Sequence, residues 1–427
     1  MEPIMRKDVP VEETWDLSLI YRTKEDMERE QQEALDIAVR IRETYPGRLD
    51  TPERIVQCLA DLEQVRARFY RVSTYVELAV EADYYDTEAQ ERSEEVHSRM
   101  AQVYSSLSFI EGEIGEADEQ VLKDAMEIAG GSRNYLKDIL EGKPHRLHPE
   151  AERALAALSK SFNTPYDVYN MAKLADMKFP SFTVRGQEYP LGYSLYEDDY
   201  ELERDPEIRR TAFGHFYEKL RQYENVTAAA YNAHCRTEKT MATLRGFGSV
   251  FDYLLFGQKV TREMYDRQID VITEKLAPHM RKYARLLQKK HGLAEMTFAD
   301  LKIALDPDYD PKVTIPQSRE YVEKGLAVLG EDYVSMIGEA YRDRWFDFAK
   351  NQGKCTGGFC ASPYGVPASF ILLSWQNRMA DVFTLAHELG HAGHFKLCNQ
   401  SQGIYDTEVP RYYVEAPSTI NELLLTG

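Results

Sequence analysis

His387 and His391, with Glu388 beside the first in His387-Glu388-Leu389-Gly390-His391, constrain this chain more than any other feature. On a helix of about 3.6 residues per turn the two imidazoles stand one above the other, where both reach a single Zn²⁺ ion at about 2.0–2.1 Å. Glu388 is offset by about 100° on the same turn. Its carboxylate therefore reaches a water beside the metal without displacing it, which is what a general base needs. The stretch before the motif, Trp375 to Ala386, contains no Pro or Gly, and Met379, Val382, Phe383 and Ala386 repeat at helical intervals. The spacing predicts a helix near 378–398. Gly390 in its interior costs about 1 kcal/mol against Ala, a sacrifice explained by close approach of another backbone or of the metal, or by simple tight packing.

A catalytic zinc keeps three protein ligands and one open position, so a third ligand is required. His394 returns to nearly the same face of the helix, but it sits almost two turns from His387, about 10 Å along the axis. That is too far for all three histidines to share one ion comfortably, and His394 reads better as a group behind the ligands or in the core. Glu415 is the better candidate. Pro417, two residues on, suits the first turn of a second helix, and packing that helix on the first would bring its opening turn to the metal. Glu422 lies on the same face two turns later. There it either orients a ligating histidine through the second ring N–H or is an ordinary ion-paired helix residue.

Helix dominates the rest of the chain. From about 24 to 175 run amphipathic segments rich in Glu, Arg, Ala and Leu, broken at Tyr45-Pro46-Gly47, Gly130-Gly131-Ser132 and Gly142-Lys143-Pro144. Two extended patches flanking Arg185-Gly186-Gln187 predict a hairpin within 178–195. Helices resume at Asp205-Pro206. A second extended patch, Gly357-Gly358-Phe359-Cys360 and then Ala368 to Leu373, directly precedes the metal helix. Glycines permit close backbone approach, so Gly357, Gly358 and Phe359 read as an edge strand that hydrogen-bonds a peptide, or as a plain turn.

Charge excludes some partners. Against 52 Lys+Arg stand 71 Asp+Glu, a balance of −19, which argues against nucleic acid and anionic membrane as partners. No run approaches the 18 or so apolar residues of a membrane span. The five cysteines are scattered without a Cys-x-x-Cys pair, so neither a disulfide framework nor a zinc knuckle is indicated and a cytoplasmic location is expected.

His387-Glu388-Leu389-Gly390-His391-Ala392-Gly393-His394 together with Glu415-Ala416-Pro417-Ser418 resembles the M3 metallopeptidases, and the oligoendopeptidase F branch more than thimet oligopeptidase. Thr14-Trp15-Asp16-Leu17, Ser161 to Tyr166 and Gly353 to Cys360 fit that branch too. The resemblance implies one zinc per chain on His387, His391 and Glu415, Glu388 as base, and His394 outside the ligand set. It implies a mainly α fold, with two helical halves flanking a substrate channel and a small β element near the zinc helix. The expected division is an N-terminal helical region at 1–110, a helical region ending in a hairpin at 111–200, and a zinc-binding catalytic domain at 201–427. Short peptides cut at internal bonds are the expected substrates. Members of that family continue past the position where this sequence stops, into a segment with a histidine and tyrosines that hold the substrate. A missing C-terminal segment is therefore an expected partner, with slow cleavage by residues 1–427 alone. The rival readings are a zinc carboxypeptidase of similar helical build and a catalytically crippled helical scaffold that binds peptides.

Overall fold

The computed structural model describes residues 4–193, 195–309 and 311–426, and most of them are helical. The chain divides into two compact units, one drawn from Met1–Lys143 together with Pro311–Gly427, the other from Pro144–Asp310. The expected boundaries at 110 and 200 do not coincide with this division, because the first unit is assembled from both ends of the described chain.

The first unit opens with α1 (Lys24–Thr44), α2 (Pro52–Ala82), α3 (Thr87–Leu107), α4 (Phe109–Glu116), α5 (Glu119–Ile128) and α6 (Arg133–Gly142). Thr23, Thr51 and Asp86 cap α1, α2 and α3, each side chain accepting from a backbone N–H three residues on, as N-caps do. Ile37 and Ile41 of α1 are buried with Ile55, Leu59 and Phe69 of α2, the apolar stripe that the helical spacing predicts.

In the second unit α7 (Pro149–Ala157) and α8 (Ser159–Asn170) precede the hairpin of β1 (Phe182–Val184) and β2 (Gln187–Tyr189). Arg185 and Gly186, both at positive φ (51° and 83°), make its two-residue turn, the conformation that lets a tight turn follow the twist of its strands. Next come α9 (Pro206–Gln222), α10 (Glu224–Leu244), α11 (Val250–Gly257), α12 (Arg262–Val271) and α13 (Ala277–Lys290). The hairpin packs on α9 through Phe182, Val184, Ala212 and Phe216. Asp300 is fully buried and receives Arg209 Nη2 at 2.5 Å and Arg210 Nη2 at 2.7 Å.

The chain returns to the first unit with α14 (Ile315–Gly325), α15 (Glu331–Arg342), β3 (Phe346–Asp347), β4 (Phe359–Ala361) and β5 (Phe370–Leu372). It ends, as described, with α16 (Met379–Ser401) and α17 (Arg411–Leu425). The strands form a sheet in the order β3-β5-β4, with β3 parallel and β4 antiparallel to β5. β5 lies in the middle with all three residues fully buried, which is why it reads as an unbroken apolar run. β4 is left on the edge.

Segments distant in sequence complete this unit. Asp16 N–H donates to the Arg344 carbonyl at 2.8 Å, and Phe348 N–H to that of Glu13 at 2.8 Å. Arg6 and Lys354 both pair with the buried Asp347 carboxylate, at 2.5 and 2.6 Å.

One local expectation fails. Pro417 does not open the second helix: α17 begins at Arg411 and carries Pro417 in its interior. The helix survives because tertiary packing, described next, offsets the backbone hydrogen bond that a proline cannot donate.

Candidate metal centre

The long metal helix, α16, is apolar on most sides where it carries the motif: Leu385, Ala386, Leu389 and Ala392 are wholly buried in the unit's core. On the face packed against α17, His387 is half-buried and His391 buried. The ring centroids of the two histidines are 5.0 Å apart, the separation expected of side chains four residues apart on a helix.

Gly390 sets how closely α17 approaches. A Cβ built there would lie 2.6 Å from Ser418 Cα and 2.7 Å from the Pro417 carbonyl oxygen. The reason for that glycine is thus backbone approach, one of the causes its position suggested. Asn421 then ties the helices together, donating from Nδ2 to the Ala386 carbonyl at 2.9 Å and to the Tyr333 hydroxyl at 2.8 Å. Tyr333 in turn donates to the Leu389 carbonyl at 2.8 Å. Both bonds reach main-chain carbonyls of the motif's own turn, so its position is held from two sides.

This packing delivers Glu415, from the second turn of α17. Glu415 Oε2 lies 3.2 Å from His387 Nε2 and 3.3 Å from His391 Nε2. The Ser418 hydroxyl donates to the same oxygen at 2.9 Å. The three donor atoms all fall within 4.8 Å of one another. Bonds of about 2.0–2.1 Å in a tetrahedron place neighbouring donors about 3.3–3.4 Å apart, and both His–Glu separations fit. The donor types and their number are those of a catalytic zinc, and Glu415 is exposed, which leaves a side open for a fourth ligand.

The other ring nitrogen of His387, Nδ1, lies 2.6 Å from Glu422 Oε1. It therefore carries the proton and donates, which commits Nε2 to the metal side. Burial holds His391 below the ordinary histidine range, with Glu415 pulling the other way. Its ring is thus favoured in the neutral form that can ligate.

Glu388 is 5% exposed and stands beside the donor cluster. Burial pushes its carboxyl up to about 7, with His387 lowering it and Glu415 raising it, and its Oε2 has no hydrogen-bond partner. A carboxyl raised toward neutrality beside such a donor set has the chemistry that acid–base work needs. Gly358, just before β4, faces it: a Cβ there would come within 3.3 Å of Glu388 Oε1 and 3.2 Å of Thr384 Cγ2. Of Gly357, Gly358 and Phe359, Gly358 is the one whose Cβ position meets Glu388, while a Cβ at Gly357 would meet nothing within 4 Å.

His394 stays outside the donor cluster. Its ring stacks on Phe395 and burial lowers its pKa. Asn421 and Tyr333 were not singled out from the sequence, and Ser418 entered only as the last residue of Glu415-Ala416-Pro417-Ser418. A helix-period reading of α17 from Arg411 would have flagged Ser418 and Asn421, which fall three residues apart on its buried face.

Two helices, two histidines one turn apart, and a glutamate closing the set from the second helix form a three-donor cluster that could hold a metal ion, with a buried carboxylate beside it. The chain belongs to peptidase family M3: that family's model matches residues 200–427, and the oligopeptidase F model matches residues 113–179. Over 425 residues it is 27% identical to oligopeptidase PepF of Bacillus subtilis, covering 98% of this chain and 63% of that relative. To an oligoendopeptidase F homolog of Lactococcus lactis it is 25% identical over 426 residues, 99% of this chain and 70% of the relative. The fold matches a crystal structure from Chlamydophila abortus with a TM-score of 0.84 at 20% identity, covering 99% of this chain and 71% of that one. It also matches oligoendopeptidase-F from Enterococcus faecium, with a TM-score of 0.61 at 19% identity over 94% and 66%.

Proposed function

We propose that this chain is a zinc-dependent endopeptidase that hydrolyses internal bonds of short oligopeptides, with one zinc held by His387, His391 and Glu415. The observation that carries this reading is the convergence of those three donors within 4.8 Å beside a buried carboxyl pushed up to about 7. Membership of the M3 family and likeness to oligopeptidases support the substrate class.

The bound zinc would supply a Lewis acid, which makes water a better nucleophile and a carbonyl a better electrophile. The remaining work falls to side chains of this chain. Glu388 accepts a proton as water attacks the scissile carbonyl, then returns it to the departing amine; a pKa near the working pH suits both transfers. Glu422 keeps the His387 proton on Nδ1, and Ser418 steadies the Glu415 carboxylate. A peptide added to the open edge of β4 at Gly357, Gly358 and Phe359 would be held by its main chain, with affinity independent of sequence.

We place the protein in the cytoplasm. Its five cysteines are all free thiols, as a reducing compartment requires, and no described helix is long and apolar enough to cross a membrane.

The test is Glu388→Gln assayed on an internally quenched peptide blocked at both ends. Zinc content should stay at one per chain while hydrolysis falls by about 10²–10⁴. Retention of more than about a tenth of the wild-type rate would remove Glu388 from its role, and cleavage of unblocked peptides alone would favour a carboxypeptidase.

A further inference from the structure

A cleft of about 550 Å³ opens beside the candidate centre and lies wholly within the first compact unit. It is walled by α2, β4, the second half of α16 and the segment leading into α17. Two contacts make it continuous with the site. Phe359 of β4 directly follows Gly358, which faces Glu388. Phe395, on another wall, stacks on the ring of His391 with centroids 5.7 Å apart. A peptide lying along β4 with its reacting bond at Glu388 must therefore put at least one side chain into this cleft.

The walls divide into two chemistries. Phe359, Phe395, Val409 and Val414 make an apolar stretch, and Glu81 and Glu408 carry negative charge. Neither carboxylate is neutralised by a described cation. Glu81 Oε1 accepts from the Tyr84 hydroxyl at 3.0 Å, its Oε2 is buried without a conventional nitrogen or oxygen donor, and the Cys355 thiol lies against the carboxylate. A third acid of the cleft, Glu77, differs in that it is already engaged by His97 at 2.6 Å. A carboxylate oxygen buried without a partner costs free energy unless a donor or cation arrives. A side chain with a long apolar stem and a cationic head satisfies both wall types at once, the stem on the aromatic and valine surface and the head among the carboxylates.

We propose that this cleft is a specificity pocket that selects oligopeptides carrying a lysine or arginine next to the scissile bond, through Glu81 and Glu408. The proposal rests on the peptidase reading above, and its test is chosen to be independent of turnover.

The experiment measures binding of blocked peptides to the zinc-loaded Glu388→Gln protein. Matched peptides carry lysine, arginine, norleucine or glutamate at each position flanking the bond. The lysine and arginine peptides should bind about tenfold more tightly than the norleucine one at a single position, the scale of a hydrogen bond to a charged group, and the glutamate peptide more weakly still. Added Glu408→Gln, on an exposed loop, should abolish most of the preference while leaving norleucine binding unchanged. Glu81→Gln should do the same. Equal affinity for lysine and norleucine peptides at every position overturns the proposal, as does a loss in Glu408→Gln that is uniform across peptides. If the preference is present but the unmutated protein hydrolyses none of these peptides, the pocket stands and the endopeptidase reading fails.

Discussion

At the scale of single residues, the candidate centre depends on groups outside its three donors. Glu422 fixes the His387 ring through a 2.6 Å hydrogen bond, so Glu422→Ala should weaken zinc binding by about 10–100-fold without altering the fold. Competition against a fluorescent chelator measures this directly, and unchanged affinity would make Glu422 an ordinary ion-paired residue. That His387 and His391 share one helix face was legible from the sequence because the signal is local: four-residue spacing on a proline-free stretch dictates it. Glu415 was reached by a less direct path. Its position was read from Pro417 as a helix start, whereas the structure puts it in the second turn of a helix that begins at Arg411. The local structure differs because packing against α16 carries the helix through Pro417, and Pro417 read by itself signals a helix start rather than an interior position.

At the scale of elements, the centre is a helix–helix contact. α17 touches α16 at Gly390, where a Cβ would sit 2.6 Å from Ser418 Cα. Backbone cannot yield there as a flexible side chain would, so Gly390→Ala should move α17 away and carry Glu415 with it. The expected outcome is a loss of about 1–3 kcal/mol of stability, typical of overpacking, together with a fall in zinc affinity. Thermal unfolding with and without zinc reads both; a variant that loses neither would mean the helices tolerate a wider spacing. The β elements were legible to different degrees. The hairpin at 182–189 announced itself through Arg185 and Gly186, a turn signal contained in two residues. That β4 lies on an edge follows from pairing with β5, which only an extended run and flanking glycines suggested.

At the scale of the whole molecule, two compact units each have their own core. The first gathers residues more than 300 positions apart, as in the Arg6–Asp347 pair. Contacts of that span produce no periodicity, which is why the division into compact units was not legible in the sequence. In the second unit the buried Asp300 gives a pH dependence. Burial opposes its charge, but hydrogen bonds from Arg210, Arg209 and Thr297 prevail and hold its carboxyl well below the ordinary 3.8. A folded-state pKa depressed in this way contributes stability that is complete above the unfolded value and is lost as pH falls from about 3.8 through the folded value. Urea unfolding from pH 5 to pH 2.5 should show that decline. Asp300→Asn should flatten it, at a cost of about 3–5 kcal/mol at neutral pH for leaving Arg209 buried and unpaired. The central claim, that one zinc is bound by a donor set shared between α16 and α17, is tested most directly by titrating zinc into the full chain and two variants. The account predicts one tight site in the unmutated protein, severe loss in Glu415→Ala, and at most a small change in His394→Ala. Near-normal affinity in Glu415→Ala with loss in His394→Ala would contradict it.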